Sequence, residues 1–217
     1  MWYNNAMNGY DFDDTILKGN SMLRFSLFCA VRLPYLILFI PVLIVAGILR
    51  GVRILNKNRY LHMISWFVVL VPCTEKFAVK FWDKNLCHIK SWYLAQRRDD
   101  DVIISASPQF LVGEACRRLG VRCIGSPLSP RSARLHGPHC YADEKVETYK
   151  RHFGDAPLAT YYSDSLSDTP MFKLAERGYF VHDEAVLLLY QNGQSLVPNK
   201  NKRQLRRYIR EQTQHIK

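Results

Sequence analysis

Four short stretches hold residues whose types and spacing suit chemistry on an anion. The first, YDFDDTIL at residues 10–17, places Asp11, Asp13 and Asp14 within four positions. Carboxylates leaving a strand end at this spacing can serve as nucleophile and acid–base group, or hold a hard cation through one side chain and a neighbouring backbone carbonyl. By itself the pattern equally suits a solvated turn or a helix cap. The second is Ser105, which ends DVIIS, where a hydroxyl and the N–H groups of a following helix can receive phosphate oxygens. An N-cap built from Ser105, Ala106 and Ser107, with Pro108 as the first helical residue, uses the same geometry. The third is Lys145, in YADEKVETYK. A lysine in a first helical turn meets the positive end of the macrodipole, so it needs negative charge in front of it, from a phosphate or from Asp143 and Glu144. The fourth, YYSDSLSDTPMF, offers Asp164 and, four residues on, Asp168, which either supports Asp164 or caps a helix opening at Thr169.

These residues need strands to carry them. DVIISAS, PQFLVGEACRRLG and VRCIGS read as strand, helix and strand, the signature of a parallel α/β sheet. DEKVETYKRHFG predicts a helix ended by Gly154, LATYYSDS a strand and turn, and TPMFKLAERG a helix with Pro170 in its first turn. GYFVHD and AVLLLYQNG complete the sheet, and the three prolines of SPLSPRSARLHGPHCYA mark a loop. The four stretches then fall at successive strand ends: two carboxylates, a hydroxyl, an ammonium, two more carboxylates. MWYNNAMNGY, which must supply the first strand, is polar and contains Gly9, a poor strand for the centre of a sheet. Between the first and second stretches lies a long apolar insertion, of which EKFAVKFWDKNLCHIKSWYLAQRRDDD reads as helical. The predicted organisation is a core of residues 1–20 and 99–198, a helical cap of 21–98 and a basic tail of 199–217.

The set Asp11, Asp13, Thr15, then Ser105, then Lys145, then Asp164, Ser165, Asp168 resembles the four motifs of the haloacid dehalogenase superfamily of phosphatases. HCYADEKV and YYSDSLSDTPMF are similar to the branch containing phosphoserine phosphatase and, more closely, phosphatidylglycerophosphatase C. The resemblance implies a Rossmann-like parallel sheet with a small apolar cap inserted between the first two motifs. It also implies roles. Asp11 would form an aspartyl phosphate, and Asp13 would act as general acid and then base. Asp11, the carbonyl of Asp13 and Asp164 would hold Mg²⁺, with Asp168 behind them, and Ser105 and Lys145 would grip the phosphoryl oxygens. Ser163 stands where relatives often carry glycine. Asn20 stands where phosphoserine phosphatases carry a glutamate for the substrate ammonium, so a free amino acid is not the expected substrate.

Leu33 to Leu49 runs 17 residues without a charge, bracketed by Arg32 and Arg50, at the lower margin for a membrane span. A second apolar run, Ile64 to Pro72, is too short to span and reads as buried or interfacial. Asp11 and Ser105 must meet in one site, so the chain between them begins and ends on one side of any membrane. That excludes a single span, and two spans need about 40 apolar residues. The expectation is a monotopic or re-entrant segment at about 33–51, bent near Pro41, on the cytoplasmic side of the cell membrane. The alternative, a buried cap core, fits less well with a stretch apolar on every side.

With 30 Lys+Arg against 19 Asp+Glu the net charge is +11, which implies an anionic partner. Arg24, Arg32, Arg50, Arg53, Lys57 and Arg59 flank the apolar stretch, and the tail adds Lys200, Lys202, Arg203, Arg206, Arg207 and Arg210. Basic residues near an anionic leaflet contribute roughly 1 kcal/mol each, although a basic tail also reads as a solvated end. No recognition motif accompanies it, so no specific nucleic acid is expected. Six cysteines without a CxxC pair or metal spacing read as reduced cytosolic thiols, with Cys116 and Cys123 able in principle to bridge. The reading is a Mg²⁺-dependent phosphomonoesterase acting on a membrane lipid phosphate such as phosphatidylglycerophosphate. Its rivals are an anchored phosphatase for small soluble esters and a non-catalytic membrane-bound protein of the same fold.

Overall fold

A computed structural model describes residues 6–52, 54, 65–197 and 201–214. The basic residues Arg53, Lys57, Arg59 and Lys200, and the first residue of the second apolar run, Ile64, lie outside them. Strands β1 (Met7–Tyr10), β2 (Val102–Pro108), β3 (Arg122–Ser126), β4 (Leu158–Ser163), β5 (Arg177–His182), β6 (Ala185–Gln191) and β7 (Gln194–Ser195) form one sheet. Its order is β3-β2-β1-β4-β5-β6-β7. The first five strands in that order pair in parallel, and β6 and β7 extend the sheet antiparallel. The chain builds outward from β1 to β3, then returns to the other side of β1 to lay down β4. The strand order therefore reverses at β1, the switch point outside whose strand ends such sheets place their ligands.

Alternate residues of each strand serve opposite faces. Ile103 and Tyr10 join one core, with Phe25 and Cys29 of α1 (Ser21–Arg32), Phe81 and Trp82 of α3 (Thr74–Asn85), Tyr93 of α4 (Ser91–Gln96) and Leu111 of α5 (Gln109–Leu119). Val102, Ile104, Met7 and Tyr161 join the other, with Tyr149 of α6 (Asp143–Phe153), Phe172 of α7 (Thr169–Leu174), and Leu205 and Ile209 of α8 (Lys202–Gln214). Helix α5 stops at Gly120, whose φ of 70° suits the left-handed C-cap position. All six cysteines are free.

The polar first strand is held by its neighbours. Asn8 accepts a hydrogen bond from Thr160 Oγ1 on β4 at 2.7 Å. Tyr10, Tyr162 and Tyr179 lie in register across β1, β4 and β5, their rings stacked at 4.8 and 4.7 Å. Gly9 has a steric reason: a Cβ there would lie 2.9 Å from Tyr161 Cδ2 and 3.1 Å from Leu158 Cδ1. An aliphatic residue at this position would collide with the ring that faces it across the strands.

Two expectations for the insertion need correction. The long helix predicted through residue 101 breaks after Asn85 into a short 3₁₀ turn, Leu86–His88, and an extended Ile89 before α4 begins. The break lets the backbone pair with the loop after β1: Lys90 N–H donates to Ile16 O and Lys18 N–H to His88 O, at 2.8 and 2.9 Å. Tertiary hydrogen bonds override local helix propensity here. Second, Pro41 does not interrupt the segment: helical backbone runs on both sides of it. A 3₁₀ segment, Pro34–Phe39, runs into α2 (Ile40–Gly51), and Pro41 sits in its first turn, where a missing N–H costs nothing. Pro34–Gly51 is the one helical segment among the described residues long and apolar enough to cross a membrane, and only 12% of it is buried. The chain that would return it, at 53 and 55–64, lies outside the described residues.

Candidate active site

Asp11 follows β1 directly, and its backbone N–H donates to Tyr162 O of β4 at 2.8 Å. Its Oδ1 accepts from Lys145 Nζ at 2.8 Å, and the same ammonium donates to Asp168 Oδ2 at 2.7 Å and to Tyr161 OH at 3.2 Å. Lys145 comes from the first turn of α6, and the two carboxylates in front of it supply the negative charge its position calls for. The Lys145 side chain is 2% exposed, so this is a buried cation between two anions. Burial alone would lower its pKa, but Asp11 and then Asp168 hold it well above the usual lysine value. Burial pushes the Asp11 carboxyl up to about 7, against the pull of Lys145. Two carboxylates share one ammonium, so the group carries surplus negative charge in a desolvated place.

Asp168 stands behind Lys145, one contact removed from Asp11. Its Oδ2 accepts from Lys145, from Ser163 Oγ at 2.8 Å and from Tyr161 OH at 3.4 Å, so it orients Lys145 and not Asp164. It stands at the N-cap of α7 yet makes no side-chain cap bond. Ser163, in place of the family's frequent glycine, is not at positive φ, and its hydroxyl is one of the contacts that fix Asp168.

On the other side of β1, Asp13 is held by the cap. Its Oδ1 accepts from the backbone N–H of Ser21, the first residue of α1, at 2.6 Å, and its Oδ2 accepts from Ser107 Oγ. Ser21 Oγ in turn donates to Ser107 Oγ at 3.2 Å. Burial raises the Asp13 carboxyl above the ordinary range, opposed by the bonds from Ser107 and Ser21. Ser105 is 1% exposed and accepts from Ser107 N–H at 3.1 Å. The serine cap expected for α5 does not form: Pro108 is the extended N-cap residue, not the first helical one. Asn20 caps α1, accepting from Leu23 N–H at 2.9 Å.

Asp164, just past β4, is tied to the first loop by its backbone N–H, which donates to Thr15 Oγ1 at 2.9 Å. Its Oδ2 accepts from Lys202 Nζ at 2.7 Å and lies 3.4 Å from a terminal nitrogen of Arg206, both from α8. No three His, Cys, Asp or Glu side chains gather at one point among the described residues. A cation here would instead take two carboxylates, Asp11 and Asp164, and the carbonyl of Asp13, since the Asp13 carboxylate is engaged with Ser21 and Ser107. These are hard oxygen donors, two of them carboxylates, which fits a divalent cation such as Mg²⁺ that displaces Lys202 and Arg206 from Asp164.

The residues singled out from the sequence thus gather just past β1 and β4, in the second half of β2 and at the start of α6; Ser105 does not end its strand as expected, because β2 runs on to Pro108. Sequence reasoning missed Ser21, Tyr161, Lys202 and Arg206, and gave Ser107 only a capping role. Tyr161 and Lys202 carried no signal beyond a strand and a basic helix, because their partners lie far along the chain.

Residues 9–173 match the haloacid dehalogenase-like hydrolase family. Among solved structures, the fold is similar to that of a protein of unknown function from Bordetella pertussis Tohama I, at TM-score 0.65 and 16% identity, covering 80% of this chain and 88% of that one. It is similar to a HAD family hydrolase from Salmonella enterica subsp. enterica serovar Typhi at TM-score 0.55 and 13% identity, covering 78% and 60%. A third, cytosolic 5′-nucleotidase IIIB bound to cytidine, gives TM-score 0.52 and 16% identity, covering 78% and 68%. At these identities the likeness is one of fold alone. No curated protein matches the chain.

Proposed function

The chain belongs to the haloacid dehalogenase-like hydrolase family, and we propose that it is a Mg²⁺-dependent phosphomonoesterase that removes a terminal phosphate from a membrane lipid, phosphatidylglycerophosphate being the favoured substrate. The observation that carries the reaction is the buried Asp11–Lys145–Asp168 group at the head of β1, with Asp13 held across from it by Ser21 and Ser107. An Asp11 carboxylate oxygen attacks phosphorus as the ester P–O bond breaks, and Asp13 gives its proton to the leaving alkoxide. Asp13 then takes a proton from water as that water attacks phosphorus. The bond to Asp11 breaks, releasing inorganic phosphate and restoring the carboxylate. Burial, which raises the Asp13 carboxyl, favours the protonated form needed for the first step. Lys145 and Ser105 stabilise charge on the phosphoryl oxygens. Mg²⁺, held by Asp11, Asp164 and the Asp13 carbonyl, would offset the phosphate charge and polarise it for attack.

The lipid assignment rests on the cap. Leu23, Leu27 and Val31 form a stripe along the outer face of α1, 60%, 60% and 79% exposed, and Leu38 is 80% exposed in the segment leading to α2. Exposed apolar surface of this extent marks an interaction site. Arg24, Arg32 and Arg50 beside it suit an anionic cytoplasmic leaflet. Because the Asp13 carboxylate is bonded to the first residue of α1, the helix that meets lipid also positions the acid–base group. Phosphate release from phosphatidylglycerophosphate micelles and from small soluble esters, with Mg²⁺, tests the reading. A preference for soluble esters would remove the lipid assignment. Asp11→Asn should abolish turnover with the urea midpoint retained, and an active Asp11→Asn would remove the nucleophile.

A further inference from the structure

The basic tail was expected to face an anionic membrane surface or solvent, but part of it is built into the protein. Leu205 and Ile209, one helical turn apart, are 1% and 4% exposed and anchor α8 in the second core. Lys202 and Arg206 share that spacing and lean from the same side of the helix onto Asp164, while Arg203 and Arg207 are exposed. Of its first four cations, the helix thus turns Lys202 and Arg206 toward the site and Arg203 and Arg207 toward solvent.

The two inward cations exceed what the protein offers them. Both meet the same oxygen of one carboxylate, and Arg206 Nε is buried with no acceptor. Lys90, a further cation that feels Asp164, is also balanced by Glu184, Asp14 and Asp183. If Asp164 holds a divalent cation, it cannot also neutralise Lys202 and Arg206. Both side chains remain about two-fifths open to solvent, at 39% and 38% exposure, so a ligand can reach them.

We propose that Lys202 and Arg206 form a second anion subsite beside the scissile phosphate, which binds a phosphodiester elsewhere on the same substrate. The subsite rests on the phosphatase reading above and narrows its substrate class to phosphomonoesters carrying a second, nearby phosphate. Arginine and lysine donate charge-assisted hydrogen bonds to phosphate oxygens, and the exposed parts of both side chains are free to do so.

The test compares three substrates of the full chain with Mg²⁺. Phosphatidylglycerophosphate carries the diester and acyl chains, its deacylated form the diester alone, and glycerol 3-phosphate neither. In K202M/R206M the ratio of kcat/KM for the deacylated diester compound to that for glycerol 3-phosphate should fall about 10- to 100-fold, the range for lost hydrogen bonds between charged groups. An unchanged ratio overturns the subsite. So does a ratio that falls for the lipid but not for its deacylated form, which would place recognition in the acyl chains. A second variant, L205A, loosens α8 with both cations present and should lower the same ratio. Calorimetry supplies a readout free of turnover: glycerophosphoglycerol, a diester without a monoester, should bind the Mg²⁺-loaded wild type and lose that binding in K202M/R206M. If no monoester is hydrolysed, the phosphatase reading fails while the calorimetry still decides the subsite. Absent or equal binding in the two proteins overturns it.

Discussion

At the carboxyl ends of β1 and β4, Lys145, Asp11 and Asp168 are charged and nearly shut off from solvent, while on α1 and the segment before α2, Leu23, Leu27, Val31 and Leu38 are apolar and open to it. Each region reverses the usual partition of side chains, and each reversal costs stability. The difference lies in how the cost is met. Lys145 is compensated inside the protein by Asp11, Asp168 and Tyr161, so the site is preorganised before any substrate arrives. The exposed Leu23, Leu27, Val31 and Leu38 find no such cover among the described residues, which is what the proposed lipid contact would supply. One region can therefore be tested by breaking its internal pairs, and the other only by changing what lies outside.

Lys145→Met breaks the contrast most severely. It leaves Asp11 and Asp168 buried without their cation, and removing one partner of a buried charged pair costs about 3–5 kcal/mol. Urea unfolding should show a loss of that size together with loss of turnover. A stability change under about 1 kcal/mol would mean that the carboxylates are hydrated and the site is not preorganised. Gly9→Val comes next. Its Cβ would press on Tyr161, whose hydroxyl meets Lys145 and Asp168, so the ring cannot turn aside without disturbing the site. Overpacking of this kind costs about 1–3 kcal/mol, and the urea midpoint and kcat should fall together. A stable variant with full kcat would show that Tyr161 moves freely.

How much of this was legible in the sequence depends on how local each signal is. Asp11, Asp13, Asp164 and Asp168 announce themselves because a strand end and its loop are neighbours along the chain, and the α/β alternation that carries them is a short-range pattern. The stop of α5 at Gly120 and the start of α7 at Thr169, with Pro170 in its first turn, are equally local. The contacts that give these residues their surroundings are not. Ser107 reaches Asp13 across 94 residues and Lys202 reaches Asp164 across 38. The tail read as a basic end, because the strand and helix residues that cover Leu205 and Ile209 lie far from it along the chain. The break before Ile89 depends on a loop more than 70 residues earlier, so a sequence window that reads as one helix could not reveal it. Gly9 read as a defect because the residue that requires it, Tyr161, sits on another strand.

The smallest effect on folding should come from the other side of the comparison. Leu38 and Val45 are 80% and 51% exposed, and substitutions at such positions usually change stability by less than about 0.5 kcal/mol. Leu38→Glu with Val45→Glu should leave the urea midpoint close to that of the wild type. Against a bilayer the balance differs, because burying each of these side chains contributes about 1.5–3 kcal/mol and a carboxylate is repelled by an anionic leaflet. Sedimentation with vesicles containing anionic lipid should therefore carry down the wild type and leave the double variant in solution, while both hydrolyse a soluble ester at similar rates. Co-sedimentation of the double variant would show that the segment Pro34–Gly51 is not the membrane contact. Loss of soluble-ester activity would show instead that this segment supports the catalytic core, since α1 begins at the residue that holds Asp13.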